Sequence, residues 1–257
     1  MDEKNIIKDI KQHPMKIGEI ENQTEEMKIA ALKSNGMAIK YIKNPSIELQ
    51  KLAVKNDPVS IEYIENLDED VAILAVRTLW NALKYIKNPS NKVIEEAIKT
   101  KGWAIQYVEN PSEDIQVLAV SKDYDSIKYI ENPSEKVQEI AVKNHWGAIK
   151  FIKNPTLNVK RLAVISHDEA INYINNYSYD DIKYFIKDNI NVVKYIYESI
   201  DPELVVDVLI EKLNNHEMTR EYMKSFLDLE ILEMDKIAFI REYGDKKTKK
   251  LLVDCKL

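Results

Sequence analysis

The sequence predicts an all-α protein, an α-solenoid of about eight to nine short helix-pair repeats closed by a helical C-terminal cap. Three observations carry this. An asparagine recurs at Asn22, Asn44, Asn66, Asn88, Asn110, Asn132, Asn154 and Asn176, always 22 residues apart. Two columns of small residues keep the same interval, Ala31, Ala53, Ala75, Ala97, Ala119, Ala141 and Ala163 in one, Ala38, Ser60, Ala82, Ala104, Ser126, Ala148 and Ala170 in the other. Between them the apolar residues follow helical spacing, as in Val137, Ile140, Ala141 and Val142 and then Ala148, Ile149, Phe151 and Ile152. A fixed period of this length marks stacked units, each too small to bury its own apolar face.

The start of each unit has its own chemistry. Pro45, Pro89, Pro111, Pro133 and Pro155 follow the asparagine, and Ser46, Ser90, Ser112, Ser134 or Thr156 comes next. This predicts that asparagine caps a helix, that proline takes the first helical position, and that an acid such as Glu113 or Glu135 completes a capping box. The first helix should run about ten residues and the second about eight, ending at the next asparagine because a residue before proline avoids the αR region. Helices below ~12 residues are marginal alone, so neighbours must hold them. The small columns let helices approach at the tight end of the ~8–10 Å interaxial range. A third column, Tyr41, Tyr63, Tyr85, Tyr107, Tyr129, Phe151, Tyr173 and Tyr195, is expected in the core with the phenol tips at the surface.

The pattern fades at both ends. Residues 1–21 are expected to form an N-terminal capping repeat, 22–199 the regular repeats and 200–257 a C-terminal helical cap. In the cap, Asp201-Pro202 opens a run of about four helices. Gly244-Asp245 starts the last, with Leu251, Leu252 and Val253 on its apolar side.

Composition narrows the function classes. At 45% hydrophobic and 31% charged the chain has material for a core, and 5 Gly and 8 Pro are few for a β protein. A net charge of −6 argues against a general polyanion binder. The single cysteine, Cys255, permits no intrachain disulfide and suits a reducing compartment. The N-terminus is charged from its second residue, and no stretch approaches ~18 uncharged apolar residues. The expectation is a cytoplasmic protein without membrane contact.

No GxGxxG, GxxxxGK[ST], HExxH or CxxC is present, so no cofactor and no catalytic residue is expected. His145 and His167 share a column in adjacent units, but layers ~10 Å apart do not converge on zinc, which holds its ligands at ~2 Å. The basic column Lys33, Lys55, Arg77, Lys99, Lys143 and Lys187 falls in last turns and the acids Glu25, Glu26, Glu69, Asp70, Glu113, Asp114 and Glu135 in first turns, as the helix dipole favours. A second row, Lys40, Lys84, Lys128, Lys150 and Lys194, is expected to be an ordinary solvated face.

Tryptophan stands out. Trp80, Trp103 and Trp146, with Tyr124 in the intervening unit, all fall in the linker between the two helices of a unit. Either each ring covers the end of the small core, or the linkers form a contact edge, since Trp and Tyr concentrate at binding hot spots. Leu79, His145 and His167 extend that edge, and these seven residues are the candidate partner-binding set.

The unit N-P-S-x-x-V-x-x-x-A-V-K-x-x-G-x-A-I-x-Y-I resembles the short two-helix repeats of uncharacterised bacterial and phage proteins and, more loosely, leucine-rich-variant and HEAT-like α-solenoids. The resemblance covers residues 15–199; it lacks the proline after Asn22, Asn66 and Asn176 and has Pro58 in the linker of one unit. It implies a curved right-handed helical stack that binds something, with no catalytic residue. The function expected is a non-enzymatic module for a protein partner. The alternatives are a phage-encoded inhibitor of a host defence enzyme, of the anti-CRISPR type, whose acidity mimics nucleic acid, and a nucleic-acid-binding or repair-type HEAT-like protein.

Overall fold

In the computed structural model, which describes residues 2–256, the chain is an all-α repeat solenoid, with no strand among the described residues. The α-helices begin at a strict interval of 22 residues: α1 (Glu3–Gln12), α2 (Glu25–Ser34), α3 (Ile47–Asn56), α4 (Glu69–Thr78), α5 (Asn91–Thr100), α6 (Glu113–Lys122), α7 (Glu135–Asn144), α8 (Leu157–Ser166) and α9 (Tyr179–Asp188). Each is ten residues long, as the spacing predicts. The first unit is as complete as those after it, although its sequence matches the motif weakly.

The second half of each unit differs from expectation. In the first eight repeats one residue leads into a six-residue 3-10 helix, as in Gly36–Tyr41 or Trp146–Phe151, which stops before the asparagine instead of running to it; in the ninth a three-residue 3-10 turn, Ile190–Val192, runs into a short α-helix, Val193–Ile196. Its bonds span three residues: the Ala38 N–H donates to Asn35 O at 3.1 Å and the Ile42 N–H to Ile39 O at 2.9 Å. Over six residues an apolar period of 3 cannot be told from 3.6, so the spacing alone does not separate the two helix types.

Asparagine is not the cap. Asn44, Asn88, Asn110 and Asn176 lie in the left-handed region, with φ of 46°, 49°, 47° and 60°. Asparagine visits that region more readily than other side-chain-bearing residues, and at the first three a following proline bars αR. The turn delivers the hydroxyl residue to the capping position instead. Ser46 Oγ accepts from the Leu49 N–H at 3.4 Å and Thr156 Oγ1 from the Val159 N–H at 3.3 Å, an arrangement worth about 1 kcal/mol per helix. The acid beyond proline closes no box within its own unit. Glu69 accepts from the Ser90 hydroxyl at 2.6 Å and Glu135 from that of Thr156 at 2.8 Å, each tying its helix to the cap of the next unit. A capping box does form at Ser178 and Asp181.

The chain divides into two compact units, Met1–Asn132 and Pro133–Leu257. In the first, Ala31, Ala53, Ala75, Ala97 and Ala119 have no exposed surface, nor do Ala38, Ser60, Ala82, Ala104 and Ser126. In the second the same holds for Ala141, Ala163, Ala148 and Ala170. Backbones meet closely beside these columns: a Cβ on Gly102 would lie 2.5 Å from Ala119 O.

A polar column stitches the turns together. Gln50, 4% exposed, donates through Nε2 to Pro45 O at 3.1 Å in its own unit and to Asn66 O at 3.0 Å in the next, while its Oε1 accepts from the Asp68 N–H at 3.2 Å. Gln116 and Gln138 donate to Pro111 O and Pro133 O, and Lys160 Nζ donates to Asn176 O at 2.6 Å. Ala72 and Ile94 occupy this column in between.

After α9 the second unit continues through α10 (Val193–Ile196) to α11 (Pro202–Asn214), α12 (Arg220–Asp228), α13 (Lys236–Tyr243) and α14 (Lys246–Lys256). Asp201 caps α11, with Pro202 at its first position, and Asp245 accepts from the Thr248 N–H to cap α14. Of these, α11 and α12 dock on the C-terminal end of α9: the buried Tyr222 hydroxyl donates to Ile186 O at 2.8 Å and Lys212 Nζ to Lys187 O at 2.9 Å. On α14 Leu252 is buried and Leu251 half-buried, but Val253 is exposed, contrary to its expected place on the apolar side. Among the described residues no helix is long and apolar enough to cross a membrane.

Candidate binding face

The 3-10 helices present one recurrent surface. With three residues per turn, Gly36, Ile39 and Ile42 share the buried edge, while Ala38 and Tyr41 share a flank. A small residue disappears into that flank and a tyrosine projects from it. The aromatic column is therefore not core, as the sequence suggested, but a row of partly exposed rings. Tyr41 and Tyr129 are 41% and 36% exposed in the first compact unit, Phe151 and Tyr195 39% and 43% in the second, Tyr195 holding the same repeat position on the short α10.

Lysines interleave with these rings. In the first unit Lys40 Nζ lies 5.2 Å from the Tyr63 ring centre, Lys84 Nζ 4.5 Å from that of Tyr85, and Lys128 Nζ 5.0 Å from that of Tyr129. In the second, Lys150 Nζ stands 3.9 Å from the Tyr173 ring centre. Lys40, Lys84, Lys128 and Lys150 are thus cation–π partners and not an ordinary solvated face, each contact worth about 0.5–1 kcal/mol where exposed, while Lys194 pairs with Asp168 at 3.6 Å. The signal was in the sequence as the recurrent Lys-aromatic dipeptides Lys40-Tyr41, Lys84-Tyr85, Lys128-Tyr129, Lys150-Phe151 and Lys194-Tyr195.

The tryptophans lie beneath the row and reach forward into the next repeat. Trp80 stacks on Tyr107 at 6.1 Å, and Trp103 meets Tyr129 edge-on at 6.3 Å. In the second unit Trp146 lies against Tyr173 at 6.1 Å and parallel to His167 at 4.7 Å, with His145 on it at 5.7 Å. All three indoles are half-buried, as are Leu79 and Tyr124, while His145 and His167 are exposed. The structure therefore groups His145, Trp146 and His167 into one stack, packs Leu79 against the core, and does not leave the indoles as a wet edge. Both histidines also cap 3-10 helices, with Nδ1 accepting from the Gly147 N–H at 3.0 Å and the Glu169 N–H at 3.3 Å. Among the described residues no group of three or more His, Cys, Asp or Glu side chains is placed to hold a metal ion.

Trp103 anchors the most connected cluster. Its indole N–H donates to Asp125 at 2.7 Å, Lys128 pairs with the same carboxylate at 3.1 Å, and Lys128 Nζ stands 4.0 Å from the Trp103 ring centre. Burial pushes the Asp125 carboxyl up, but the hydrogen bonds from Trp103 and Lys128 and the charges of Lys128 and Lys101 outweigh it and hold the group below its ordinary 3.8. A carboxylate depressed in the folded state stabilises above its unfolded value and loses that contribution as pH falls through the folded one. With Trp80 and Trp146 replaced by phenylalanine, Trp103 emission should therefore step at a pH below 3.8, and Asp125→Asn should abolish the step. An unchanged step in the asparagine variant would contradict the assignment.

No protein-family model, no curated protein and no solved structure matches the chain. Fold and surface define it as an all-α protein of 22-residue repeats, the first eight each an α-helix followed by a six-residue 3-10 helix, with an aromatic-lysine face along these second halves.

Proposed function

We propose that the chain is a non-enzymatic binding module that offers its 3-10 face to a protein partner in the cytoplasm. The observation that carries this is the row of rings left more than a third exposed at one repeat position, Tyr41 and Tyr129 on one unit, Phe151 and Tyr195 on the other. Tyrosine and phenylalanine are enriched at protein interfaces, and recurrent exposed rings are a solubility cost unless something covers them. An inhibitor that occupies a defence enzyme is one case of this reading, and the net charge of −6 suits it. Nucleic acid is served less well. Lysine ammonium groups already cover the ring faces of Tyr85, Trp103 and Tyr173 that a base would stack on, and Lys128 is paired with Asp125.

The test compares immobilised wild-type protein with the double variants Tyr41→Ala/Tyr129→Ala and Phe151→Ala/Tyr195→Ala. Helicity should be unchanged, and a partner identified with the wild type should be retained at least about tenfold less by one of the two. Equal retention by both would remove the face from consideration. Tight binding of a single-stranded oligonucleotide, weakening steeply with salt, would replace this reading by the nucleic-acid one.

A further inference from the structure

We infer that the cleft between the fourth and fifth repeats, those of α4 and α5, is a receptor for a basic side chain, lysine or arginine, carried by the protein partner. The cleft has a volume of about 530 Å³ and lies between residues 61–72 and 85–93. The cleft lies beside one position of the polar column. Gln50 and Lys160 each send a donor to the carbonyl sixteen residues on, Asn66 O and Asn176 O, and so close the gap to the next turn. The fourth repeat has Ala72 there, which lines the cleft and carries no donor. The carbonyl sixteen residues beyond Ala72 belongs to Asn88, also a lining residue. Asn88 shares its left-handed backbone with Asn176, φ 49° against 60°. Lys160 and Asn176 thus show, within the same molecule, how an ammonium group sits at such a turn: 2.6 Å from the carbonyl and 3.6 Å from the Asp181 carboxylate.

Charge and shape favour the same occupant. Glu62, Glu65 and Glu69 line the cleft against Lys87 alone. The Ser90 hydroxyl, with Lys92 beyond it, holds Glu69 below its ordinary value, so it is ionised at neutral pH. Ile64, Ala72 and Val93 supply apolar wall for the methylene stem of a long basic side chain. The neighbouring cleft, of about 590 Å³, lacks these features: Ile94 takes the column position, and Lys84 and Lys87 line it against Glu109. The inference rests on the reading of the chain as a protein-binding module, but its test needs no partner.

The probe is the capped tripeptide Ala-Lys-Ala, titrated into the isotope-labelled full chain, with the norleucine analogue as the neutral isostere. The lysine peptide should move the amide signals of Asp68, Glu69, Asn88 and Ser90, and the norleucine peptide should bind at least several-fold more weakly. Ala72→Gln should abolish these shifts and raise the melting temperature, because glutamine restores the missing donor. Glu62→Gln/Glu65→Gln, at exposed sites, should weaken the lysine peptide several-fold with unchanged melting. Equal binding of the two peptides, or undiminished binding in the folded Ala72→Gln protein, would overturn the receptor. If Ala72→Gln fails to fold, unchanged affinity in the double glutamine variant overturns it instead. Absence of any shift with the lysine peptide would also overturn it while leaving the protein-binding reading to the ring variants.

Discussion

Ala119→Leu is expected to lower the stability of the protein by about 1–3 kcal/mol, while Lys122→Leu on the same helix shifts it by less than about 0.5 kcal/mol. Ala119 has no exposed surface, and its carbonyl lies where a Cβ on Gly102 would come within 2.5 Å. A leucine there has no free volume to enter and must push the preceding unit away. Lys122 is exposed at the end of α6, where an added apolar side chain displaces only water. Because each repeat contacts its neighbours and little else, the strain should stay local and appear as earlier melting of the surrounding units. Denaturant midpoints of the two variants settle the matter, and equal values would mean that the alanine column does not set the spacing between units.

Gln50→Ala is the second large effect, about 1–3 kcal/mol of destabilisation. One side chain answers three backbone groups, Pro45 O, Asn66 O and the Asp68 N–H, at 3.1, 3.0 and 3.2 Å. Removing it strands polar groups of two successive turns in a region where the glutamine itself is 4% exposed. Gln50→Leu, which keeps the volume but not the bonds, should cost nearly as much, and this separates hydrogen bonding from packing. A leucine variant as stable as the wild type would show that the column fills space and does not stitch turns.

Much of the architecture is legible in the chain because it is written in local chemistry. The first helix of each unit was readable from its apolar spacing, and the start of α11 from Asp201-Pro202. The second helix was not, since six residues are too few to distinguish two helical periods. The cap lies two residues beyond the asparagine that the sequence points to, for a related reason. Asn, Pro and Ser all occur near helix starts, and only the backbone shows that Asn44 turns the chain while Ser46 caps the helix.

The candidate face was legible only in part. The linker tryptophans are conspicuous by composition, yet their burial depends on which ring the next repeat brings against them: Tyr107 for Trp80, Tyr129 for Trp103, Tyr173 for Trp146. The tyrosine column had the spacing of core residues, and the flank it occupies was set by the three-residue turn.

By itself the sequence determined that this is an all-α chain of 22-residue units with alanine at the points of closest approach, because period, caps and small residues act within a turn or two of the backbone. Only the tertiary structure decided which rings remain in water, which lysines lie over them, and that a cleft opens beside Ala72 while Gln50 bridges two turns. These depend on how atoms of one unit meet atoms of the next, a registry that inter-unit packing sets and that no single unit encodes.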